Sequence, residues 1–176
     1  TALYWIWKNV SADAKGLFHY RRVLDTRHHP MVDEHAALRA AVRRKYLPVV
    51  EYGEADFARV ADRTMAELPG LLEKYDIVTT KRAVTRLRVR NFFMLAGAEL
   101  IDMMVASVGK LYPSYQPFVK GCLRSQRLYF GNMTVKRNDI CDDYCTCMFS
   151  VLEDVKQTIR SGVYLTDLRG EKMFSR

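Results

Sequence analysis

Three short runs of apolar and β-branched residues alternate along this chain with longer stretches of helical period. The runs are GLFHYRRVL (Gly16 to Leu24), DIVTT (Asp76 to Thr80) and RLYFGNMTVK (Arg127 to Lys136). Such alternation restricts the chain to an α/β fold, in which helices cover a small sheet. The helical stretches carry clear stripes. Ala37, Leu38, Ala41 and Val42 line one face of Met31 to Tyr46, and Phe57, Val60, Ala61, Met65 and Leu68 recur at three and four in Asp56 to Tyr75. Pro69 is expected to kink or split that second helix. Ala2 to Asn9 reads as the end of an aromatic-rich helix, and further helices are expected over Leu87 to Leu111 and Ser114 to Leu123. The last should run from Asn138, a natural N-cap, to about Arg160, with Asp139, Asp142 and Asp143 at its positive end.

At 176 residues the chain is long enough for one domain with a sizeable core, without disulfides or metals. Its order is strand-poor for a complete sheet, and it begins at Thr1. Both features imply a piece of a longer protein whose first strands, and any targeting segment, precede it. Asn91 to Leu111 is the most apolar stretch, and Glu99, Asp102 and Lys110 break it before it reaches a membrane-spanning length. Four cysteines are present, three of them in CDDYCTC. Cys141 and Cys145, four apart, fit one helix face as small apolar residues in a reduced, cytoplasmic setting. A zinc site would need His28, His29 or His35 to complete it.

The net charge of +8 favours anionic partners: nucleic acid, phosphate groups or an anionic membrane surface. GLFHYRR places that charge most pointedly. On a strand, Leu17, His19 and Arg21 share one face, and Phe18, Tyr20 and Arg22 the other. Both faces turn polar at the same place, as they do where a strand leaves the core at its carboxyl end. In open α/β sheets ligands bind in the crevice outside those ends. Arg21 and Arg22 there can grip phosphate oxygens bidentately, and His19 can donate to phosphate or act as an acid–base group. The same residues also fit a plain structural role, with solvated arginines and a hydrogen-bonded histidine.

Four blocks resemble a known family: TALYWIWKN running into GLFHYRR, YDIVTTK (Tyr75 to Lys81), LYPSYQPF (Leu111 to Phe118) and YFGNMTVKRNDICDDYCTCMFSVLEDV (Tyr129 to Val155). Together they resemble the capsular and exopolysaccharide synthesis family of glycosyltransferase-like domains, long filed as a domain of unknown function. The resemblance implies a Rossmann-like, GT-A-like fold with a nucleotide-sugar donor bound above the sheet. It also implies a glycan or lipid-linked acceptor, at the inner face of the membrane. Many such enzymes carry Asp-x-Asp at a strand end to hold a metal on the donor diphosphate. Here the comparable strand end carries HYRR, so Arg21 and Arg22 are expected to neutralise the diphosphate without a metal. Tyr20, Asn132 and Met133 are the further donor-site candidates, and His19 the catalytic one. Gly131 beside Asn132 permits close approach of a ligand, or marks a bulge. The chain departs from the family pattern where NMT stands for NMF and where Cys147 replaces an aromatic, which marks a divergent member.

Two other functions compete. A nucleic-acid module is suggested by the charge and by RLRVRN (Arg86 to Asn91), but the aromatics sit in apolar stripes and the arginines scatter over several elements. A non-catalytic partner in polysaccharide assembly would keep the fold and donor binding without transfer.

Overall fold

The computed structural model describes residues 1–19, 22–27, 52–84, 87–93, 97–129 and 133–161. The expected helix over Met31 to Tyr46, the three histidines His28, His29 and His35, and the C-terminal tail lie outside them.

Helix α1 (Ala2–Asn9) is capped by the Thr1 hydroxyl. It leads into β1 (Ala14–Leu17). Helix α2 (Glu54–Leu72) follows, then the strands β2 (Ile77–Thr79) and β3 (Ala83–Val84). Helices α3 (Val89–Phe93) and α4 (Ala98–Leu111) come next. A 3-10 turn (Pro113–Tyr115) joins α4 to α5 (Gln116–Arg124). The chain closes with β4 (Arg127–Leu128), β5 (Thr134–Arg137) and the long α6 (Asn138–Arg160).

The main sheet has the order β1-β5-β2, with β5 antiparallel to both neighbours. β1 and β2 therefore run in the same direction, and their carboxyl ends meet the start of β5 at one edge. α2 covers one face. There Leu24, Leu68, Met133 and Val135 form a buried cluster with Phe18 and Val78 against it. α1 and the first half of α6 cover the other face, where Leu3, Cys141 and Cys145 pack with Trp7, Leu17 and Phe149. The second half of α6 packs on α4 through Met103, Val108, Val151 and Val155. At 23 residues α6 is about 34 Å long, so it joins the sheet to the helical half of the molecule.

Several expectations are corrected. α2 passes through Pro69 without ending. The missing N–H would have met the carbonyl of Met65, which lies on the exposed side of the helix, where water replaces the lost donor. The helical region expected over Leu87 to Leu111 holds two helices among the described residues, and Gly97 before the second has φ 103°, a left-handed backbone that no helix continues through. RLYFGNMTVK is not one strand but two, β4 and β5, in different sheets. Asn138 is the first residue of α6 rather than its cap, because its N–H is given to the Asp13 carbonyl at 2.8 Å, extending the β1–β5 contact by one residue.

Cys141 and Cys145 do share one buried helix face, with sulfurs 4.0 Å apart. Burial and the neighbouring thiol push Cys145 up to about 11 from the ordinary 9.0. The folded thiol thus keeps its proton where the unfolded chain gives it up, and stability falls as pH rises from 9.0 towards about 11. Burial pushes Tyr144 up as well and acts in the same sense. Burial lowers Lys136, which acts oppositely and adds stability towards 10.5. A Cys145→Ala variant is expected to lose less stability over this window than the parent chain in urea unfolding; parallel losses would show that the thiol carries none of it.

Candidate functional site

The candidate site is the sheet edge where β1 and β2 end and β5 begins. Thr134 is paired with Leu17 on one side and Thr79 on the other. Both outer strands therefore leave the ladder at the same level. Leu17 and Thr79 there stand about 10 Å apart, two strand spacings, on either side of Thr134.

On the β1 side, the strand ends at Leu17 rather than continuing to Leu24 as expected, because β5 offers no further partner beyond Thr134. Leu17 and Phe18 still turn to opposite faces of the sheet, as strand alternation requires. The chain then folds back. The Arg22 N–H donates to the His19 carbonyl at 2.9 Å, and the two residues face each other in an antiparallel bridge. His19 and Arg22 are thus held against each other just past the end of β1, and both are exposed. Tyr20 and Arg21 lie outside the described residues.

This segment is anchored behind. Leu24 is buried, and its carbonyl accepts from the Thr64 hydroxyl of α2 at 2.6 Å. Asp25 accepts from the Tyr52 hydroxyl at 2.5 Å and from Arg27 at 2.9 Å. The segment after Arg22 is therefore held to α2 through Leu24 and to the residue region just before α2 through Asp25, while His19 and Arg22 stay exposed.

On the β2 side, Thr79 donates to the Met133 carbonyl at 3.4 Å. Lys81 and Arg82 follow, both exposed, and the chain then enters β3, whose Ala83 and Val84 are buried. β3 pairs with β4 just as β2 pairs with β5. The two ladders form one antiparallel ribbon with a break in it. From the Thr79–Thr134 pair to the Ala83–Leu128 pair, one chain advances four residues and the other six. The surplus of two residues is the signature of a bulge, a device that re-aims side chains beside functional sites. The six-residue arm includes Gly131 and Asn132, which lie outside the described residues. Met133 itself is buried in the α2-face cluster, so its side chain serves packing, and only its backbone borders the edge.

Sequence reasoning missed two lysines just below this edge. Lys15 and Lys136 are directly paired across β1 and β5, and both are buried. The Lys15 ammonium donates to the Trp7 carbonyl at 3.5 Å and lies 3.8 Å from Asp142. The Lys136 ammonium stands 4.3 Å from the Tyr144 ring centre and donates to the Thr134 hydroxyl. Their period-two placement among Ala14, Gly16 and Val135 was the available signal. The opposite end of the sheet is closed by an ion pair, Arg137 to Asp76 at 2.8 Å. A shallow surface depression beside it, lined by Ser11, Asp13, Arg137 and Asp139 among others, holds none of the donor-site candidates.

Among the described residues no three His, Cys, Asp or Glu side chains converge as a metal site would require. Among the described residues no helix is long and apolar enough to cross a membrane.

The fold is similar to that of a solved structure, the apo form of the bifunctional glycosyltransferase WbbM. The match has a TM-score of 0.62 and 23% sequence identity, and it covers 89% of this chain and 28% of that one. The chain thus spans less than a third of the length of that protein. No curated protein matches the sequence. A family model described as a domain of unknown function (DUF4422) matches residues 1–169, and the chain belongs to that family.

Proposed function

We propose that this chain is a glycosyltransferase domain of bacterial capsular or exopolysaccharide synthesis that transfers a sugar from a nucleotide-sugar donor. The observation that carries this reading is the pairing of Leu17 with Thr134 at one end of the sheet, which sets the chain entering HYRR beside Met133, against which Phe18 packs in the buried cluster. The fold shared with a glycosyltransferase supports it, and so does the parallel direction of β1 and β2, whose carboxyl ends open on that edge. The GT-A-like description of the fold belongs to the same proposal.

In this reading the donor's diphosphate lies against HYRR. Arg22, with Arg21 beside it in sequence, neutralises the charge that builds on the diphosphate as its bond to the sugar anomeric carbon breaks. An acceptor hydroxyl oxygen bonds to that carbon, and its proton must leave. His19 is the imidazole at this edge to which that proton is assigned. Asn132, from the six-residue arm, faces the donor or acceptor sugar, and Tyr20 borders the donor. The basic surface suits an enzyme working at an anionic cytoplasmic leaflet on lipid-linked acceptors.

Thermal melting with nucleoside diphosphates and nucleotide sugars, with and without Mn, tests the reading. A stabilisation that needs no metal and disappears in the Arg21→Ala, Arg22→Ala double variant is expected. The absence of any nucleotide shift would refute it, and a strict Mn requirement would refute the arginine clamp.

A further inference from the structure

We propose that helix α5, with the 3-10 turn before it, is a peripheral docking surface for an anionic lipid bilayer. It deepens the leaflet contact of the glycosyltransferase reading, on which it rests for its biological setting, and it takes in none of the donor-site candidates. Three observations carry it. α5 buries none of its residues. Phe118 on it is 77% exposed, and Tyr115 just before it is 52% exposed. From Met103 to Asn138 the sequence contains no Asp or Glu, so every charged side chain along this stretch is basic.

The local sequence builds the surface. Tyr115, Phe118 and Cys122 recur at three and four along one side of the outward face, and all are exposed. Lys120 and Arg124, four apart, run along the other side of it and are exposed too. The inward face is Gln116, Val119 and Leu123. Val119 packs on the cluster that joins α4 to α6. Gln116 lies against Gly109 of α4, where any side chain would collide with it. Just after the helix, the Ser125 carbonyl accepts from the Val89 N–H at 2.8 Å. α5 is therefore held from behind, and its outward face stays open.

A phenyl ring kept in water by an anchored helix is unfavourable, and a cover removes that cost. The charges decide which cover fits. Lys120 gives a bond to the Gln116 side chain at 3.0 Å, and among the described residues neither it nor Arg124 has a carboxylate partner. An anionic bilayer meets both needs at once. It offers an apolar boundary to the rings, and headgroup phosphates that the long Lys and Arg stems can reach. Aromatic and basic side chains on one helix are the composition of a helix lying in the membrane interface. At nine residues α5 is about 14 Å long, which suits contact along the surface and not a span across it.

The test is flotation of the whole chain with vesicles of phosphatidylcholine, alone or mixed with phosphatidylglycerol, at low salt and without nucleotide. The chain is expected to float with the anionic vesicles and not with the neutral ones. Lys120→Gln with Arg124→Gln should weaken that binding about thirtyfold, the effect of two basic residues at an anionic surface. Phe118→Ala should weaken it at least about tenfold, because the ring no longer leaves water. A control pair, Lys8→Gln with Lys74→Gln, makes the same change in net charge at other exposed positions and should keep most of the binding. Absence of binding to anionic vesicles overturns the proposal, as does parental binding in the α5 variants. An equal loss in the control pair also overturns it, since net charge alone would then explain the attraction. So does a dimer that Phe118→Ala dissolves in a chain that ignores vesicles, which would give the face to a second copy. The substituted side chains are exposed, so these variants are expected to fold as the parent does, and their nucleotide melting shifts should stay parental. Nucleotide shifts in a chain that binds no vesicles sink this surface alone. Vesicle binding by a chain that shows no nucleotide shift leaves the surface standing and sinks the donor reading.

Discussion

Gly16→Val is expected to destabilise the protein by about 3 kcal/mol, the upper part of the range for overpacked interiors. A β-carbon at Gly16 would stand 2.9 Å from Cγ2 of Val135 and 3.2 Å from the Thr134 carbonyl oxygen. Neither can yield easily. Valine has a stiff χ1, and the carbonyl belongs to the central strand, which is bonded on both sides. Replacing a strand glycine normally gains roughly 0.5–1 kcal/mol from reduced backbone freedom; the contact outweighs that gain. Set against a total folding free energy of roughly 5–15 kcal/mol, the loss would show plainly in urea unfolding. Gly16→Ala should cost less, and Gly16→Ala with Val135→Ala should recover part of the alanine penalty, since the clashing methyl is gone. An unchanged midpoint for Gly16→Val would mean that β1 and β5 do not meet in this register.

Thr64→Val should cost about 1–3 kcal/mol, the penalty for orphaning a buried carbonyl. Thr64 is fully buried, and its hydroxyl serves the Leu24 carbonyl at 2.6 Å. Valine keeps the shape and removes the donor. The consequence reaches the site, because Leu24 anchors the chain two residues after Arg22. A looser anchor widens the range of positions open to HYRR, so nucleotide binding should weaken along with stability. Thr64→Ser, which keeps the hydroxyl, should preserve binding better than valine does. Equal binding by both variants would detach HYRR from its α2 anchor. Unfolding midpoints and nucleotide-induced melting shifts, read on the same samples, check both parts.

Local pattern was enough for much of this protein. Val60 and Leu68 of the expected stripe are buried on α2, although Met65 is exposed and Thr64 takes the buried place between them, and local pattern located α1, α5 and α6 to within a few residues. The polar switch after Phe18 marked where β1 leaves the core. Leu17 and Phe18 part to opposite faces because successive strand residues must. These properties follow from the chain's own short-range geometry.

Long-range pairing decided the rest. Nothing local says that β5 lies between β1 and β2, that RLYFGNMTVK breaks into two ladders, or that His19 and Arg22 face each other. A strand ends where its partner ends, and the partners of β1 lie 117 to 123 residues away, Leu17 pairing with Thr134 and Ala14 with Arg137. The buried lysines were hidden for the same reason. Lys15 and Lys136 look like solvated charges until the sheet pairs them beneath α6. The sequence by itself determined which segments are helical, which are extended and where basic side chains leave the core. The tertiary structure alone decided which of those ends share an edge, because strand register is settled by contacts between residues far apart in the chain.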